Sequence, residues 1–340
     1  MKPRVGVAMS GGVDSSVAAY LLQQAGYEVI GLTFRPATKP GCPSPAVADA
    51  KAVAAQLGIV HHEVDQEETF RREVVEYFLA EYRHGRTPNP CAVCNQKIKF
   101  GSLLAQARSL GAECIATGHY ARITHGQLRK GRDARKDQSY FLFLLSPQQL
   151  AQALMPIGDL TKEQVRAIAR REGLKTHDKA ESQEICFVPG RDYSRFLRES
   201  AKLPDRAGEI VTLDDRVLGT HAGIQHFTIG QREGLRIGGQ KTPLYVVELD
   251  TSRNRVIVGP REALMREEFE ITGCNWLVAP PSEVVTVKIR YNHKGCRAVV
   301  ERRTDERWRV RLSEPQRAVT PGQAAVFYQD DRVLGGGWIC

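Results

Sequence analysis

The sequence lacks the features of a membrane or secreted protein. No apolar run approaches the roughly 20 residues that a helix needs to cross a bilayer. The first residues, MKPRVGVAMSGG, contain no long apolar segment of the kind found in signal peptides. The chain also contains no internal repeat and no low-complexity tract. We therefore expect a globular, cytoplasmic protein without a membrane partner.

A disulfide framework is not expected either, although the chain has eight cysteines, because the cytosol keeps thiols reduced. Three cysteines lie in strand-like apolar segments and are interpreted as core residues: Cys114, Cys274 and Cys296. Cys42, in a Pro-rich loop, and the terminal Cys340 are assigned no role. Cys91, Cys94 and Cys186 therefore remain as candidates for chemistry.

The size and charge of the chain indicate several domains and a polyanionic partner. At 340 residues, the chain is too long for one ordinary hydrophobic core. Hydrophobic residues make up 42% and charged residues 26%, which is the balance of a globular protein. The formal net charge of +9 favours a polyanion such as a nucleic acid, but it does not identify one.

Strand-like and helical patterns alternate over the first 120 residues. Apolar strand-like runs occupy residues 5–9, 29–34, 59–64 and 114–117, and helical patterns occupy residues 17–25, 46–57, 70–82 and 98–110. This alternation predicts an α/β fold with a parallel sheet that is covered by helices on both faces. Such sheets bind ligands at the carboxyl ends of their strands.

The remainder of the chain changes character twice. Residues 137–200 are predicted to be mainly helical, and Thr161-Lys-Glu-Gln164 fits a capping box that opens a helix over residues 165–172. Beyond residue 203, short β-rich runs punctuated by Gly and Pro predict two small, mainly-β modules, the last of them a β-barrel. We expect domains at residues 1–200, 203–265 and 270–340, with a weak boundary near residues 261–269.

A glycine- and serine-rich loop connects the first predicted strand to the first helix: Ser10-Gly11-Gly12-Val13-Asp14-Ser15-Ser16. Small residues let backbone N–H groups and the helix N-terminus surround an anion, and an aspartate beside a polyphosphate indicates Mg²⁺. A turn that only caps a helix would explain the glycines and one serine, but not the whole motif in this position. Because the loop lacks the lysine of a Walker A motif, transfer of a γ-phosphate is not expected.

Cys91 and Cys94 form a CxxC pair in a segment that we predict to be a loop leading into a helix. Such a pair is compatible with redox chemistry, half of a zinc site or ligation of an iron–sulfur cluster. Zinc would need two further ligands, and no histidine stands at zinc-finger spacing. A cysteine near a helix N-terminus should have a lowered pKa, and Lys97 and Lys99 would lower that pKa further if they face the thiol.

Residues 122–136 form a basic segment with a single acidic residue, Asp133. Its basic residues are Arg122, Arg129, Lys130, Arg132, Arg135 and Lys136. We interpret the basic segment as an edge that contacts nucleic-acid phosphates, with a solvated hairpin as the alternative.

Nine short motifs span nearly the whole chain: SGGVDSS (10–16), NPCAVCNQKIKF (89–100), ATGHY (116–120), KDQSYF (136–141), ICF (185–187), GQREGL (230–235), RY (290–291), TPGQ (320–323) and LGGG (334–337). In this order they resemble the tRNA-specific 2-thiouridylases, a family within the PP-loop, or N-type, ATP pyrophosphatases. Any one of the motifs could arise by chance, whereas the complete series is specific.

The resemblance implies a site for ATP with Mg²⁺ and a surface for tRNA. The implied ATP-binding positions are Ala8, Met9, Ser10, Gly11, Gly12, Val13, Asp14, Ser15, Phe34 and Gly118. The implied target-base positions are Asn89, Pro90 and Cys91, and the implied tRNA-binding positions are His119, Lys136, Asp137, Gln138, Arg290, Tyr291 and Gln323. Many relatives have Met in place of Phe34, whose ring could stack on adenine instead. Residues 137–200 and the last domain, as a docking barrel, would then contact tRNA.

The resemblance also implies ATP-dependent 2-thiolation of the wobble uridine of tRNA. The C2 oxygen is adenylated, and sulfur then replaces it with release of AMP. Cys94 is implied as the nucleophile and Cys186 as the carrier of a persulfide, with a Cys94–Cys186 disulfide after sulfur delivery. This route requires an upstream sulfur donor or relay protein and a reductant.

Three alternatives stay open at this point. A [4Fe–4S] cluster on Cys91, Cys94 and Cys186 could carry the sulfur instead. The chain could also be a PP-loop synthetase that forms an amide, which would have no use for Cys94 and Cys186. A non-catalytic tRNA-binding protein is the third alternative, and the intact phosphate loop and cysteines argue against it.

Overall fold

The computed structural model describes residues 2–34, 45–180, 185–188, 193–201, 205–239 and 242–340. The chain divides into a first unit of Met1–Val75, Pro90–Phe187 and Gln329–Leu334, and a second unit of Glu76–Asn89, Val188–Tyr328 and Gly335–Cys340. Cys42 and residues 181–184, which precede the ICF motif, lie outside the described residues. Within the described ranges, no helix is long and apolar enough to cross a membrane.

Short apolar runs in the first unit form a parallel sheet, as the alternating pattern predicts. The strands of this unit are β1 (Arg4–Ala8), β2 (Glu28–Phe34), β3 (Val60–Val64), β4 (Cys114–Thr117), β5 (Ala121–Thr124), β6 (Gln127–Lys130) and β7 (Ala153–Leu154). Five of them pair in the order β3-β2-β1-β4-β7, parallel throughout. β5 and β6 form an antiparallel hairpin, and Arg129 of β6 also pairs with Arg332 of the same unit. Val5, Gly6 and Val7 are all buried. Because successive strand residues point to opposite faces, β1 is covered on both sides.

The described helices include two π-helical segments. The α-helices are α1 (Val13–Gln24), α2 (Pro45–Leu57), α3 (Glu67–Phe70), α4 (Glu76–Arg83), α5 (Pro90–Cys94), α6 (Leu103–Ser109), α7 (Pro147–Ala151), α8 (Lys162–Arg171) and α9 (Tyr193–Ala201). The π-helical segments are Arg71–Val75 and Asn95–Ser102, and the short 3₁₀ turns are Ser139–Leu142, Ile224–His226 and Arg261–Leu264. α8 begins at the predicted capping box, since the side chains of Thr161 and Gln164 bond to each other's backbone N–H.

Two expectations about local structure need correction. The first helix begins at Val13, inside the phosphate loop, and not at residue 17. Cys91 and Cys94 lie within α5 and not in a loop before a helix. Pro90 opens this helix, because its ring fixes φ at a helical value and the first helical position needs no N–H donor.

Apolar side chains of α1 connect the sheet to α8. Val5 and Val7 of β1 belong to one core cluster with residues of α1 and α2. Val17 of α1 belongs to a second cluster with Ile157 and Val165, and Val165 lies on α8. This packing brings the N-terminal part of α8 close to the N-terminal part of α1, where the phosphate loop ends.

The second unit contains a small sheet and a closed barrel. Its strands are β8 (Gly208–Thr212), β9 (Val217–His221), β10 (Tyr245–Asp250), β11 (Arg255–Gly259), β12 (Met265–Trp276), β13 (Val285–Lys288), β14 (Cys296–Arg302), β15 (Arg307–Arg317), β16 (Ala324–Gln329) and β17 (Arg332–Ile339), the last two shared in part with the first unit. The small sheet has the order β10-β11-β8-β9, and the barrel order β12-β15-β14-β13-β16-β17 closes by pairing of β12 with β17. The predicted fold class is therefore confirmed, whereas the predicted domain boundaries stay predictions.

Candidate active site

The phosphate loop lies where the strand order of the sheet reverses. β1 leads into this loop and the adjacent β4 leads into Gly118, so both connections leave the same edge of the sheet. In doubly wound sheets, this crevice binds ligands. A Cβ atom on Gly118 would lie 2.6 Å from the Ser15 nitrogen and 2.7 Å from the Asp14 carbonyl carbon, so the approach requires glycine. The structure thus brings together the predicted ATP-binding residues 8–15 and Gly118.

Serine side chains fold the phosphate loop onto itself. Ser15 Oγ accepts a hydrogen bond from the Ser10 N–H at 3.2 Å and donates to the Gly12 carbonyl at 3.1 Å. Ser16 Oγ donates to the same carbonyl at 2.9 Å. Gly12 is the N-cap of α1, so the helix N-terminus, which favours anions, lies at the end of the loop. This arrangement is suited to binding phosphate by backbone groups.

A lysine from α8 supplies the charge that the loop lacks. Lys162 Nζ donates to both carboxylate oxygens of Asp14, each at 2.8 Å, and the Tyr120 hydroxyl donates to one of them at 2.7 Å. Asp133 accepts a bond of 3.1 Å from the Lys162 backbone N–H, which fixes the first residue of the helix. The sequence indicated Lys162 only as part of a capping box, so reasoning from the sequence missed its place in the site.

A second lysine reaches the other end of the loop. Lys179 Nζ donates to the Gly11 carbonyl at 2.8 Å and to the carboxylate of Asp49. Lys179 follows α8 without a local motif, and sequence reasoning missed it for that reason. The loop is therefore contacted by the ammonium groups of Lys162 and Lys179, and each of them also bonds to a carboxylate.

Phe34, predicted to line the adenine site, belongs to a row of three aromatic rings. Its ring centroid lies 5.9 Å from that of the fully buried Phe70. Phe70 in turn contacts Phe187 edge-on at 5.6 Å. Phe187 directly follows Cys186, so the row connects the end of β2 to the Cys186 segment. Stacking of Phe34 on adenine stays a prediction.

The three candidate cysteines are free thiols, and electrostatic interactions with Cys91 and Cys186 raise the pKa of Cys94. Cys94 is buried, while Cys91 and Cys186 keep solvent-exposed surface. Desolvation by the surrounding chain raises the pKa of Cys94 to about 12 and that of Cys186 to about 11. It also raises the pKa of Cys91, although Cys91 and Cys186 keep part of their surface in contact with solvent. Lys99 lowers all three pKa values, but by less than burial raises them. The expectation of a lowered pKa is therefore wrong for Cys94, because the loss of thiolate hydration outweighs the nearby positive charge.

The π-helical segment Asn95–Ser102 carries Lys99 toward the loop after β4. Such a segment has a wider turn than an α-helix and often occurs at functional sites. Lys99 Nζ lies 3.4 Å from His119 Nε2, and His119 Nδ1 lies 2.7 Å from Thr117 Oγ1. Burial and then Lys99 lower the pKa of His119 well below 6.5, so the ring is neutral near pH 7. Its Nε2 can then accept from Lys99 while Nδ1–H donates to Thr117.

Two predicted tRNA-binding residues of the first unit, Asp137 and Gln138, accept hydrogen bonds from backbone N–H groups of the same unit. The buried carboxylate of Asp137 accepts bonds from the Gly131 N–H at 3.0 Å and from the Ser139 N–H and hydroxyl at 3.1 Å. Gln138 Oε1 accepts from the Tyr120 N–H at 3.1 Å. Lys136, between these and the hairpin, is half-buried. Contact of these residues with tRNA stays a prediction.

The basic segment does contain a hairpin, β5–β6, and several of its charges are paired within the first unit. Arg122 and Arg129 donate to the carboxylate of Asp331 at 2.6 and 2.7 Å. Lys130 Nζ donates to the Asp330 carbonyl at 2.8 Å. Binding of phosphates would compete with these partners, and it stays a prediction.

The predicted target-base residues lie at the start of α5. Asn89 ends a segment of the second unit, and Pro90 and Cys91 open α5 in the first unit. Asn89 and Pro90 are buried, and Cys91 is exposed. Of the three, Cys91 therefore presents the accessible side chain.

The remaining predicted tRNA-binding residues belong to the second unit. Arg290 is exposed and donates to a backbone carbonyl of β15 at 3.1 Å. The ammonium group of Lys288 lies 5.9 Å from the ring centroid of Tyr291. Gln323 Nε2 donates to the Thr87 carbonyl at 3.1 Å. Gln323 thus has an internal partner, and its contact with tRNA stays a prediction.

A parallel sheet with this loop at the reversal of its strand order defines an α/β domain of the PP-loop type. Family models match three consecutive parts of the chain: a tRNA methyl transferase HUP domain at residues 3–190, a tRNA methyl transferase PRC-barrel domain at residues 194–260 and an aminomethyltransferase beta-barrel domain at residues 266–339. A protein of Acidithiobacillus ferrooxidans named tRNA-specific 2-thiouridylase MnmA is 50% identical, over 98% of this chain and 97% of its own length. A protein of Trichlorobacter lovleyi with the same name is 49% identical, over 99% of this chain and 97% of its own length. The chain belongs to the tRNA-specific 2-thiouridylase family.

Proposed function

We propose that this chain is an ATP-dependent tRNA uridine 2-sulfurtransferase that modifies the wobble uridine of tRNA in the cytoplasm. The observation that carries the proposal is a series of contacts from the phosphate loop to Lys99, whose charge acts on the thiols. Gly118 lies against Ser15 of the loop. The next residue, His119, contacts Lys99, whose charge reaches Cys94. Adenylation and sulfur transfer need such proximity, because the activated base must meet the sulfur before it meets water.

Sulfur transfer also agrees better with the site than methyl transfer does. The relatives are named 2-thiouridylases, whereas two of the family descriptions mention methyl transfer. A phosphate loop beside three interacting thiols supports sulfur transfer, since methylation would use neither ATP cleavage nor a sulfur carrier on cysteine.

In the first step, ATP binds with its phosphates on the loop and its adenine beside Phe34. The C2 oxygen of the uridine attacks the α-phosphate, and pyrophosphate leaves. Asp14 offers the carboxylate oxygens that Mg²⁺ prefers as ligands. The bond from C2 to oxygen now ends in AMP, which is a good leaving group.

In the second step, the terminal sulfur of a Cys186 persulfide anion attacks C2, and the bond from C2 to the AMP oxygen breaks. The Cys94 thiolate then attacks Cys186 Sγ. The sulfur–sulfur bond breaks, and its electron pair stays on the sulfur that is now bonded to C2. The products are 2-thiouridine and a Cys94–Cys186 disulfide, which a two-electron reductant reopens. A sulfur donor or relay protein restores the persulfide.

Lys99 has a role in this step that follows from its position. Because burial raises the pKa of Cys94 to about 12, the resting thiol is protonated. The positive charge of Lys99, which lowers the pKa of Cys94, stabilises the thiolate that attacks Cys186.

The cluster alternative uses the same cysteines, and the tRNA substrate would be the same. Among the residues that the structure describes, no three His, Cys, Asp or Glu side chains are grouped as metal ligands. Cys91 distinguishes the two routes, because only the cluster needs it as a ligand.

Product analysis of ATP turnover in the presence of tRNA tests the proposed function. We expect AMP and pyrophosphate in equal amounts, dependent on Mg²⁺ and tRNA, and 2-thiouridine in the digested tRNA. Asp14→Asn should abolish adenylation, whereas Asp159→Asn removes the same charge from a side chain that is 79% exposed and should not. ADP and phosphate as products would contradict the proposal. An amide product without 2-thiouridine would favour a synthetase.

A further inference from the structure

The barrel of the second unit has a cavity of about 500 Å³ at one end. The last residues of β12 line one side of it, and the turn between β14 and β15 lines the other. Two of the lining residues are tryptophans and three are charged: Trp276, Trp308, Arg302, Asp305 and Glu306. The mouths of β-barrels are common ligand sites, and this volume lies in the range of cavities that hold small organic groups.

The cavity is separate from the tRNA-binding positions that the sequence predicts in the same barrel. Arg290 and Tyr291 lie in the connection from β13 to β14, and Gln323 directly precedes β16. β14 runs from that connection to the cavity, and β16 pairs antiparallel with β13. These three positions therefore lie at the other end of the strands.

The two tryptophan rings are held in place by packing. Trp308 lies directly opposite Ile271 on the neighbouring strand, and Ile271 is fully buried. Because directly opposite residues share a face of the sheet, Trp308 points to the inside of the barrel. Trp276 lies edge-on to Trp308 at a centroid distance of 5.2 Å and stacks on the fully buried Phe327 at 5.4 Å. The cavity thus has a fixed aromatic wall.

The indole N–H of Trp276 lacks a hydrogen-bond acceptor. Its Nε1 atom is buried, and no residue that the structure describes accepts a bond from it. Buried indole N–H groups normally have a partner, because an unsatisfied donor costs free energy. Asp305 and Glu306 add carboxylates at the same cavity. Arg302 donates to Asp305 at 2.6 Å, but these side chains are 58% and 96% exposed, so the ion pair is weak and can exchange for a ligand.

A nucleobase has the properties that this cavity requires. Its flat ring stacks on aromatic side chains, its carbonyl oxygens or ring nitrogens accept from an indole N–H, and its amino or imino groups donate to carboxylates. The guanidinium group of Arg302 would lie beside the phosphate of the same nucleotide. Proteins recognise RNA mainly through such unstacked bases.

We propose that the barrel mouth binds one unstacked base of the tRNA substrate, with the base stacked on Trp308 and bonded to the indole N–H of Trp276. The inference rests on the proposed function, which supplies an RNA substrate. It adds to that function a second point of contact, at the end of the barrel away from Arg290, Tyr291 and Gln323.

Tryptophan fluorescence of the full chain tests the proposal without turnover, because two of the three tryptophans line the cavity. Trp338→Phe removes the third. In this variant, an unmodified tRNA transcript with a wobble uridine should quench the emission, since a base stacks on an indole ring. An RNA duplex without unpaired bases binds through its phosphates and should leave the emission unchanged. Equal quenching by the duplex, or no quenching at saturating tRNA, would overturn the proposal.

Trp308→Leu should raise the Kd for tRNA about fivefold or more, the lower end of what one stacked base contributes. The slope of log Kd against log salt concentration should stay the same, because no phosphate contact is removed. Trp338→Phe, which alters the tryptophan outside the cavity, should leave the Kd unchanged. An unchanged Kd in Trp308→Leu would contradict the proposal, and so would a shallower salt slope, which would report displaced docking. If Trp308→Leu does not fold, acrylamide quenching of Trp338→Phe replaces it: bound tRNA should shield the indoles, and unchanged accessibility would overturn the proposal.

Two further outcomes separate this inference from its alternatives. GMP or CMP that quenches the cavity tryptophans and is not displaced by tRNA would assign the cavity to a free nucleotide and overturn the proposal. A wild-type chain that binds no tRNA would contradict the proposed function itself, whereas tRNA binding without quenching contradicts only the base cavity.

Discussion

Replacing Gln323 with leucine should release residues 86–89 from the turn that precedes β16. Gln323 Nε2 donates to the Thr87 carbonyl at 3.1 Å and to the Pro88 carbonyl at 3.4 Å, and the Thr87 N–H donates to the Pro321 carbonyl at 2.9 Å. Pro88 and Pro90 have no N–H and cannot join a regular ladder of hydrogen bonds. The segment therefore depends on donors that reach its carbonyl groups.

The expected size of the effect follows from the two hydrogen bonds. A neutral hydrogen bond contributes a net stabilisation of about 0.5–1.5 kcal/mol. Since the second bond is long, we expect a total of about 1.5 kcal/mol for the pair. This corresponds to an about tenfold increase in the opening equilibrium of the segment.

Amide hydrogen exchange of the Thr87 N–H, measured without tRNA, is the assay. It should accelerate about tenfold in Gln323→Leu and stay unchanged in Gln329→Leu, which alters an exposed residue at the end of β16. Gly322→Ala should accelerate it as well, because Gly322 has a φ of +87° and a Cβ atom there would lie 2.9 Å from the Thr87 carbonyl oxygen. An unchanged exchange rate in Gln323→Leu would refute the reasoning. Contact with tRNA would then be the remaining predicted role of Gln323.

Two further predictions concern His119 and Cys91. Because the pKa of His119 in the folded chain lies well below its ordinary value of 6.5, the unfolded chain binds more protons, so stability should be lost as pH falls from 6.5 toward the folded-state pKa. His119→Gln should reduce this loss of stability, as measured by hydrogen exchange of the β4 amides. An identical pH profile in the variant would contradict the assignment. Tryptophan fluorescence cannot replace exchange here, because Trp276, Trp308 and Trp338 all lie in the second unit and do not report on β4. Cys91→Ser should keep appreciable thiolation in iron-free protein if Cys186 carries a persulfide. Activity that tracks iron content, with an inactive Cys91→Ser, would instead support the cluster.

Local patterns were sufficient to predict the fold class and the position of the phosphate loop. The apolar run at Val5–Val7 indicates a strand that is covered on both faces, and the capping residues Thr161 and Gln164 mark the start of α8. Each of these signals depends on residues within a few positions of one another. The alternating pattern also predicted a ligand site at the carboxyl ends of the strands, because parallel strands end on the same side of a sheet.

Only the tertiary structure decided which distant side chains complete the site and how their chemistry is tuned. Lys162 and Asp14 are 148 positions apart, and no local pattern relates them; the packing of α8 against α1 does. The pKa of Cys94 was likewise not predictable from local sequence patterns. A helix start and a nearby lysine predict a lowered value, but the burial that raises this pKa to about 12 depends on the packing of the surrounding chain. Desolvation is a property of everything that surrounds a group, so it is decided when the chain folds.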